Sequence, residues 1–403
     1  MSAVWYNYSE RKNGATRDLL LPPVPEVIIK IKNMNLIERF QITEKKTKVI
    51  IIIVILVIMA GLVFYFGWYR KKVNPLNLNS MKGEVEMGAP LNTGEVSPFT
   101  SLTCTNWNRR PIAVMEAADL SVRPDSGFSD ADLVLEMPAI TASITRLMAV
   151  YVCGNPSEVG SIRSSRHDYI ALAAGWDAIF AHWGGSHFAG DILNKKVIDN
   201  LDLNGSFGNK APECGFRKAG VPAPDNGFAR FDKLLECAKA RNYRMENKFS
   251  GYPHQAEAPV DQRPSGGHLR VGFAGPYAAD YDYDKATNTY LRSWNKVADI
   301  DANNGKRLAP KNIAIVIASS EQIEGQYNNV QIGDPQFDSV SEGDAYYYFN
   351  GKEMKGRWKK DKSKWASKLF MYDDKGEEVK FVPGQIWVEV LEPGQALKWV
   401  LQP

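Results

Sequence analysis

The stretch ADLVLEMPAITASITRLMAVYV, Ala131 to Val152, decides how this chain is read. Ala131 to Leu135 and Arg146 to Val152 are short runs dense in Val, Leu, Met and Ala, and they read as buried strands. Pro111 to Met115 and Ala178 to Ala181 have the same character. Helical patterns lie between or after them. One runs from about Ser164 to Ala174, with Ile170, Leu172, Ala173 and Ala174 apolar. The other runs from Phe228 to Arg241, with Phe231, Leu234, Leu235 and Ala238 apolar. Short apolar strands interleaved with helices predict an α/β layered domain over residues 105–250.

Towards the C-terminus the pattern changes. Residues 251–267 carry Pro253, Pro259 and Pro264 among glycines and read as an interdomain loop. Beyond it, Tyr281 to Asp284 and the neighbourhood of Thr289 to Arg292 alternate with the period of two that a half-buried strand shows. Asn312 to Ala318, Tyr346 to Phe349, Lys355 to Trp358, Lys368 to Tyr372 and Ile386 to Leu391 are further strand candidates. Asn350-Gly351 and Asp374-Lys375-Gly376 supply turns. A mostly antiparallel β domain is therefore expected over 268–400, and the fold class is α+β. Trp358, Trp365, Trp387 and Tyr346 to Tyr348 crowd this domain with rings, which could stack on sugars or simply pair across strands in its core.

Towards the N-terminus, residues 69–104 are poor in large apolar residues and sprinkled with Pro, Gly, Asn and Ser, as in a linker. Before them comes VIIIIVILVIMAGLVFYFGW, Val49 to Trp68, twenty residues without a charge, proline or amide side chain. At about 1.5 Å of rise per residue such a helix spans the roughly 30 Å of a bilayer's hydrocarbon core. A single transmembrane helix is expected over 49–68. It starts too far into the chain for a cleaved signal peptide and ends in bulky rings rather than small residues. Six Lys/Arg within twenty residues on its N-terminal side face four on the other, a bias that puts residues 1–48 in the cytoplasm and the bulk of the chain outside.

The tail 1–48 holds nine Lys/Arg against five Asp/Glu, a net of +4 in a chain of +3, so residues 49–403 come to −1. The basic excess can meet anionic lipid headgroups. A near-neutral exported part with no long basic run argues against nucleic acid as a partner. Cys104, Cys153, Cys214 and Cys237 all follow the apolar run. An even number beyond a membrane anchor suits two disulfides, with three pairings open, and four buried free thiols are the alternative.

Several stretches resemble the YerB-like family of bacterial membrane-anchored proteins, whose domains carry no assigned biochemical function. They are RPIAVM (Arg110 to Met115), RPDSGFSDADLVLE (Arg123 to Glu136), ITRLMAV (Ile144 to Val150), GSIRSSR (Gly160 to Arg166) and HWGGS (His182 to Ser186). Tyr281-Asp282, TYLRS (Thr289 to Ser293), KNIAIV (Lys311 to Val316) and PGQIW (Pro383 to Trp387) follow in the second half. The resemblance implies an N-terminal α/β domain, a C-terminal β domain and a place on the outer face of the cytoplasmic membrane, many members being lipoproteins. This chain has no lipobox, and a spanning helix would replace the lipid. Glu116-Ala117-Ala118, Thr141-Ala142-Ser143 and Pro224-Asp225-Asn226 stand where Asp-Asn, Glu-Gly and Pro-His-Asn patterns are usual.

Arg163, Arg166 and His167 fall at the start of a predicted helix, where unpaired backbone N–H groups favour an anion. A guanidinium can grip a carboxylate or phosphate with two parallel hydrogen bonds. Gly184, Gly185 and Ser186 follow a strand ending at His182, and an α/β sheet collects ligands at such ends. With Arg146 and Glu136 at other strand ends, Glu136, Arg146, Arg163, Arg166, His182, Gly184, Gly185 and Ser186 are the candidate ligand-binding set. The alternative is that the arginines pair with Asp132, Glu136 and Asp168 to hold the domain together, as in a purely structural scaffold protein. His182, Ser186 or Glu136 could also serve an envelope hydrolase or transferase, His182 and Ser186 as base and nucleophile, though no Gly-x-Ser-x-Gly elbow surrounds the serine. His182 and His187 lack the neighbours of a zinc site, and there is no P-loop or dinucleotide fingerprint. No metal and no cofactor is expected. The reading is an extracytoplasmic protein whose partners are the membrane and a cell-wall glycopeptide or another envelope protein.

Overall fold

The computed structural model describes Met59, residues 94–325 and residues 327–402. The expected tail over 1–48, the apolar run over 49–68 except Met59, and the linker up to residue 93 lie outside the described residues. Among the described residues no helix is long and apolar enough to cross a membrane.

The first half contributes strands β1 (Ile112–Ala117), β2 (Leu133–Pro138), β3 (Thr145–Tyr151), β4 (Ile179–His182) and β5 (Asn200–Asp202), with the two-residue strands β6 (Phe216–Arg217) and β7 (Gly227–Phe228). Its helices are α1 (His167–Gly175), α2 (His187–Asn194) and α3 (Phe231–Ala240). The second half contributes β8 (Gly266–Gly272), β9 (Ala279–Asp284), β10 (Thr289–Trp294), β11 (Val297–Ala298), β12 (Asn312–Ile317), β13 (Ser320–Glu324) and β14 (Tyr327–Val330). It continues with β15 (Glu342–Phe349), β16 (Lys352–Lys359), β17 (Phe370–Asp373), β18 (Ile386–Leu391) and β19 (Ala396–Gln402). The architecture is α+β, mostly strand with few helices.

Ten strands form one sheet in the order β17-β16-β15-β12-β18-β2-β3-β1-β4-β5. β12, β18 and β2 run parallel to one another, as do β1, β4 and β5, and β3 runs antiparallel between β2 and β1. Six strands therefore end at one edge of the sheet. Strands β1, β2, β3 and β18 are buried along their whole length, which is why they read as apolar runs without alternation. Helices α1 and α2 cover one face. A five-stranded sheet, β11-β10-β9-β8-β19, lies against the other, where Leu269, Val271, Tyr281 and Tyr290 join one apolar cluster with Val134, Leu147, Ile313 and Trp387. Helix α3 packs on that same face through Phe231, Leu234, Cys237 and Ala238 while Asp232, Lys233 and Glu236 stay exposed, a 3.6-residue period.

The halves expected over 105–250 and 268–400 are joined through one sheet. Ile386 to Glu389 of β18 pair in parallel register with Leu133 to Glu136 of β2, so one sheet and one core run through residues on both sides of position 250. The reason is a matter of edges: without β18, β2 would end the first sheet with a row of unpaired backbone groups.

The flanking connections are also built into the core. Within the expected linker, Phe99 is fully buried, stacked on Phe249 at 4.8 Å and edge-on to Trp176 at 6.3 Å. Within the expected interdomain loop, Tyr252 is buried, accepts a hydrogen bond from Trp176 Nε1 at 3.0 Å and donates to the Leu369 carbonyl at 3.1 Å. Gly266 and Gly267 already belong to β8. Sparse apolar residues in Pro/Gly-rich sequence hid these anchors. The four cysteines form two disulfides, Cys104–Cys153 and Cys214–Cys237.

Candidate functional site

At the edge where the parallel strands end, the last residues of β1 and the segment 161–163 run side by side. The Arg163 N–H donates to the Met115 carbonyl at 2.9 Å, and the Ser165 N–H donates to the Gly184 carbonyl at 2.9 Å. These bonds pin Arg163 and Arg166 next to the ends of β1 and β4. Arg146, the second residue of β3, lies opposite Ala117 and Met137 at the same edge. Three guanidinium groups thus converge on one corner of the sheet.

Their carboxylate partners are few. Arg146 reaches Asp119 at 3.3 Å, and Arg163 reaches Asp225 at 2.5 Å, with all four side chains only partly exposed at most. Arg166 has no carboxylate partner in this set; it donates to its neighbour's carbonyl, Ser165 O, at 3.0 Å and lies 5.8 Å from the centre of the Tyr327 ring. The Nε atoms of Arg146 and Arg166 and the Ser165 hydroxyl are buried without a hydrogen-bond partner. Burial lowers the Arg146 pKa, and the adjacent Arg163 lowers it further while Asp119 raises it. Burial, then the positive charge of Arg146, brings Arg166 down to about 10, still protonated at neutral pH. The guanidinium groups repel one another, and with Asp119 and Asp225 as the ion-paired carboxylates and Asp168 acting on Arg166 without pairing to it, Arg166 keeps an unpaired charge that an anion would relieve.

The rest of the expected set does not join them. Glu136 points to the opposite face of the sheet, where it accepts from Thr145 Oγ1 at 2.6 Å and from Arg292 Nη2 at 2.5 Å. His182 is fully buried, with Nδ1 2.7 Å from the Gly184 carbonyl and Nε2 3.4 Å from Asn200 Oδ1; burial pushes its pKa down and holds the ring neutral. The Ser186 hydroxyl caps α2 by accepting from the Ala189 N–H at 3.2 Å. Gly184 sits at φ +66°, and a Cβ at Gly185 would lie 3.3 Å from Ser165, so both glycines serve a tight turn that carries Ser165 against β4. A base-and-nucleophile pair of His182 and Ser186 is not assembled, since each is engaged elsewhere.

The bland pairing with Asp132, Glu136 and Asp168 is not what the arginines use either. Asp132 accepts from Ser97 Oγ and the Val152 and Cys153 N–H groups, and Asp168 accepts from the Val330 N–H. The actual partners, Asp119 and Asp225, escaped the sequence reading, although Asp225 stands at a position already marked as departing from the family's usual histidine. Among the aromatic residues of the second half, Trp358, Trp387, Tyr347 and Tyr348 are fully buried and form core rather than a sugar platform. Glu213, Cys214 and Cys237 come within ligand distance of one another, but the two sulfurs are joined in a disulfide and offer no thiolate. A shallow cavity of about 240 Å³ lies at the other edge, between Arg110, Asp177, Lys196 and Asp199, and its Arg110 is already paired with both aspartates.

Comparison with known proteins places the chain. The family described as "Protein of unknown function (DUF3048) N-terminal domain" matches residues 99–244, and its C-terminal domain matches residues 269–388. YerB of Bacillus subtilis (strain 168), named as a candidate lipoprotein, is 30% identical over 305 residues, covering 73% of this chain and 86% of the relative. The crystal structure of the YerB protein from Bacillus subtilis superimposes with a TM-score of 0.64 at 26% identity, covering 76% of this chain and 99% of that one. The chain belongs to this YerB-like family.

Proposed function

We propose that the protein is a membrane-anchored, extracytoplasmic binding protein whose arginine corner takes an anionic group in the cell envelope. One observation carries the binding part: Arg146, Arg163 and Arg166 meet at the strand-end edge, among the described residues their ion-pair partners are Asp119 and Asp225, and two of their Nε atoms are buried and unpartnered. The strand-end edge is where sheets of this kind collect ligands, and guanidinium is suited to carboxylate and phosphate. The anchoring part rests on the apolar run Val49 to Trp68, the lipoprotein name of the Bacillus relative, and two disulfides, which suit an oxidising compartment. A cell-wall glycopeptide or the carboxylates of an envelope protein are the ligands this chemistry favours.

The test is a calorimetric titration of the full-length protein, held in neutral detergent, with soluble cell-wall glycopeptide fragments and with inorganic phosphate. Arg163→Ala and Arg146→Ala should each weaken binding roughly tenfold or more, the scale of one lost charged hydrogen bond. Equal binding by wild type and both variants, or no binding at all, overturns the anion reading. Protease that leaves the C-terminal part intact on whole cells overturns the topology.

A further inference from the structure

Beside Arg166 the surface becomes aromatic. The guanidinium lies over Tyr327 of β14 at 5.8 Å, and Tyr327 meets His187 and Phe188 of α2 edge-on at 5.3 and 5.9 Å. Phe188 in turn meets Phe337 edge-on at 5.6 Å. His167, at the start of α1, lies beneath Phe188 and Phe337 at 5.8 and 4.6 Å. Of these five rings only His167 is buried; His187 is exposed and Phe188, Tyr327 and Phe337 are half-buried. The Glu324 carboxylate stands at the rim, 2.9 Å from His187 Nε2.

Phe337 packs against the main apolar cluster, but Phe188, Tyr327 and His187 are not among that cluster's residues and, unlike Trp176, Trp358 and Trp387, are not fully enclosed. Four partly open rings next to an unpaired arginine make an amphipathic surface with one charged end. Three of the contacts cross at 81°, 84° and 85° while His187 and Phe188 lie 4.0 Å apart at 36°, so the rings make an uneven wall rather than one flat platform. A chair-shaped pyranose, with one apolar C–H face and hydroxyls around its rim, suits such a wall. The positive remainder at Arg146, Arg163 and Arg166 asks that the sugar carry an acid.

We infer that Tyr327, Phe188 and His187 form a saccharide-stacking subsite continuous with the arginine corner, so that the ligand is a carboxylate-bearing oligosaccharide. The sugar's apolar face rests on the rings, and its carboxylate reaches the guanidinium groups through Arg166. This deepens the anion reading above and rests on it.

Three probes separate the two ideas: inorganic phosphate, chitotetraose as the neutral sugar, and a muramic-acid-containing tetrasaccharide as the acidic one, each titrated into the full-length protein. The acidic tetrasaccharide should bind roughly tenfold or more tighter than either other probe. Tyr327→Ala should erase most of that advantage while lowering phosphate affinity much less, because a free anion meets Tyr327 only indirectly, through its contact with Arg166. If Tyr327→Ala does not fold, His187→Ala, whose ring is exposed, carries the comparison. An advantage that survives removal of the ring overturns the stacking subsite. An acidic sugar that binds no tighter than phosphate overturns it too, while leaving the anion site standing. Failure of all three probes to bind overturns both.

Discussion

Arg292 on β10 donates from Nη2 to Glu136 on β2 at 2.5 Å, with both side chains fully out of solvent. One residue belongs to the second half of the chain and the other to the first. Arg292 also pairs with Asp299, donates from Nε to the Tyr281 hydroxyl at 3.0 Å, and lies 4.3 Å from the centre of the Trp387 ring. Tyr281 donates to Glu389, which lies beside Glu136 in the paired register of β18 and β2. The second sheet is thus clamped to the main one by a buried charge surrounded by acids. Removing the cation would strand Glu136, Asp299 and Glu389 without it. Arg292→Ala should therefore destabilise the fold by about 3–5 kcal/mol, the usual cost of breaking a buried pair from one side. Urea unfolding of the purified protein checks this, and a loss below about 1 kcal/mol would show that the network contributes little.

The same network sets a pH dependence. Burial, reinforced by the negative charge of Glu136, raises the Glu389 pKa from 4.5 to about 8, against the opposing pull of Arg292. A carboxyl raised on folding keeps its proton where the unfolded chain has released it. Its contribution to stability is fully present below pH 4.5 and is lost as pH rises through about 8. Glu116, Asp125, Asp132, Glu136 and Asp299 are raised in the same direction, mainly by burial, and add to the slope. The melting midpoint should fall between pH 5 and 8, and Glu389→Gln should flatten that fall without abolishing it. An unchanged slope in the variant would remove Glu389 from the explanation.

Asp225 occupies Arg163 at 2.5 Å and is itself held by Ser121 Oγ at 2.7 Å. It competes with any incoming anion for the same guanidinium. Asp225→Asn keeps the shape and removes the charge, so phosphate should bind roughly three- to tenfold tighter, as expected when about 1 kcal/mol of competing attraction at a half-buried site is released. The gain should shrink as salt is added. Weaker binding in the variant would mean that Asp225 orients Arg163 for the ligand rather than screening it.

The strands and helices were legible because their signal is local. The apolar run Ile386 to Leu391 predicts a strand and is β18; the spacing of Phe231, Leu234 and Ala238 predicts one helix face, and they lie buried on α3. Which strands pair is not local: nothing in Leu133 to Glu136 announces a parallel partner some 250 residues away. Likewise Arg146, Arg163 and Arg166 could be picked out as charged residues near strand ends. That Glu136 would turn to the other face was also available, since a strand alternates sides and Met137, one residue on, lies opposite Arg146. His182 and Ser186 misled because their types suggest chemistry. Their bonds, to the Gly184 carbonyl and to the Ala189 N–H, involve backbone atoms that no side-chain pattern reveals.

The disulfides allow a last test of how the arginine corner is supported. Cys104–Cys153 closes 49 residues and ties the segment carrying Phe99 to the end of β3; Cys214–Cys237 closes 23 residues and ties the loop after β5 to α3. By loop-closure entropy they contribute about 4 and about 3 kcal/mol, with the longer loop contributing more. Cys104→Ala with Cys153→Ala should therefore lower stability more than Cys214→Ala with Cys237→Ala. Arg146 and Asp119 lie within the first closed loop and Asp225 within the second, but Arg146 is held by the β1 and β2 ladders and Arg163 by its backbone bond to Met115, so phosphate affinity should hold in whichever variant stays folded at the assay temperature. Denaturant unfolding and phosphate titration on both double variants measure the two effects separately. A loss of affinity in a folded variant would show that the bridge positions the arginines as well as stabilising the chain.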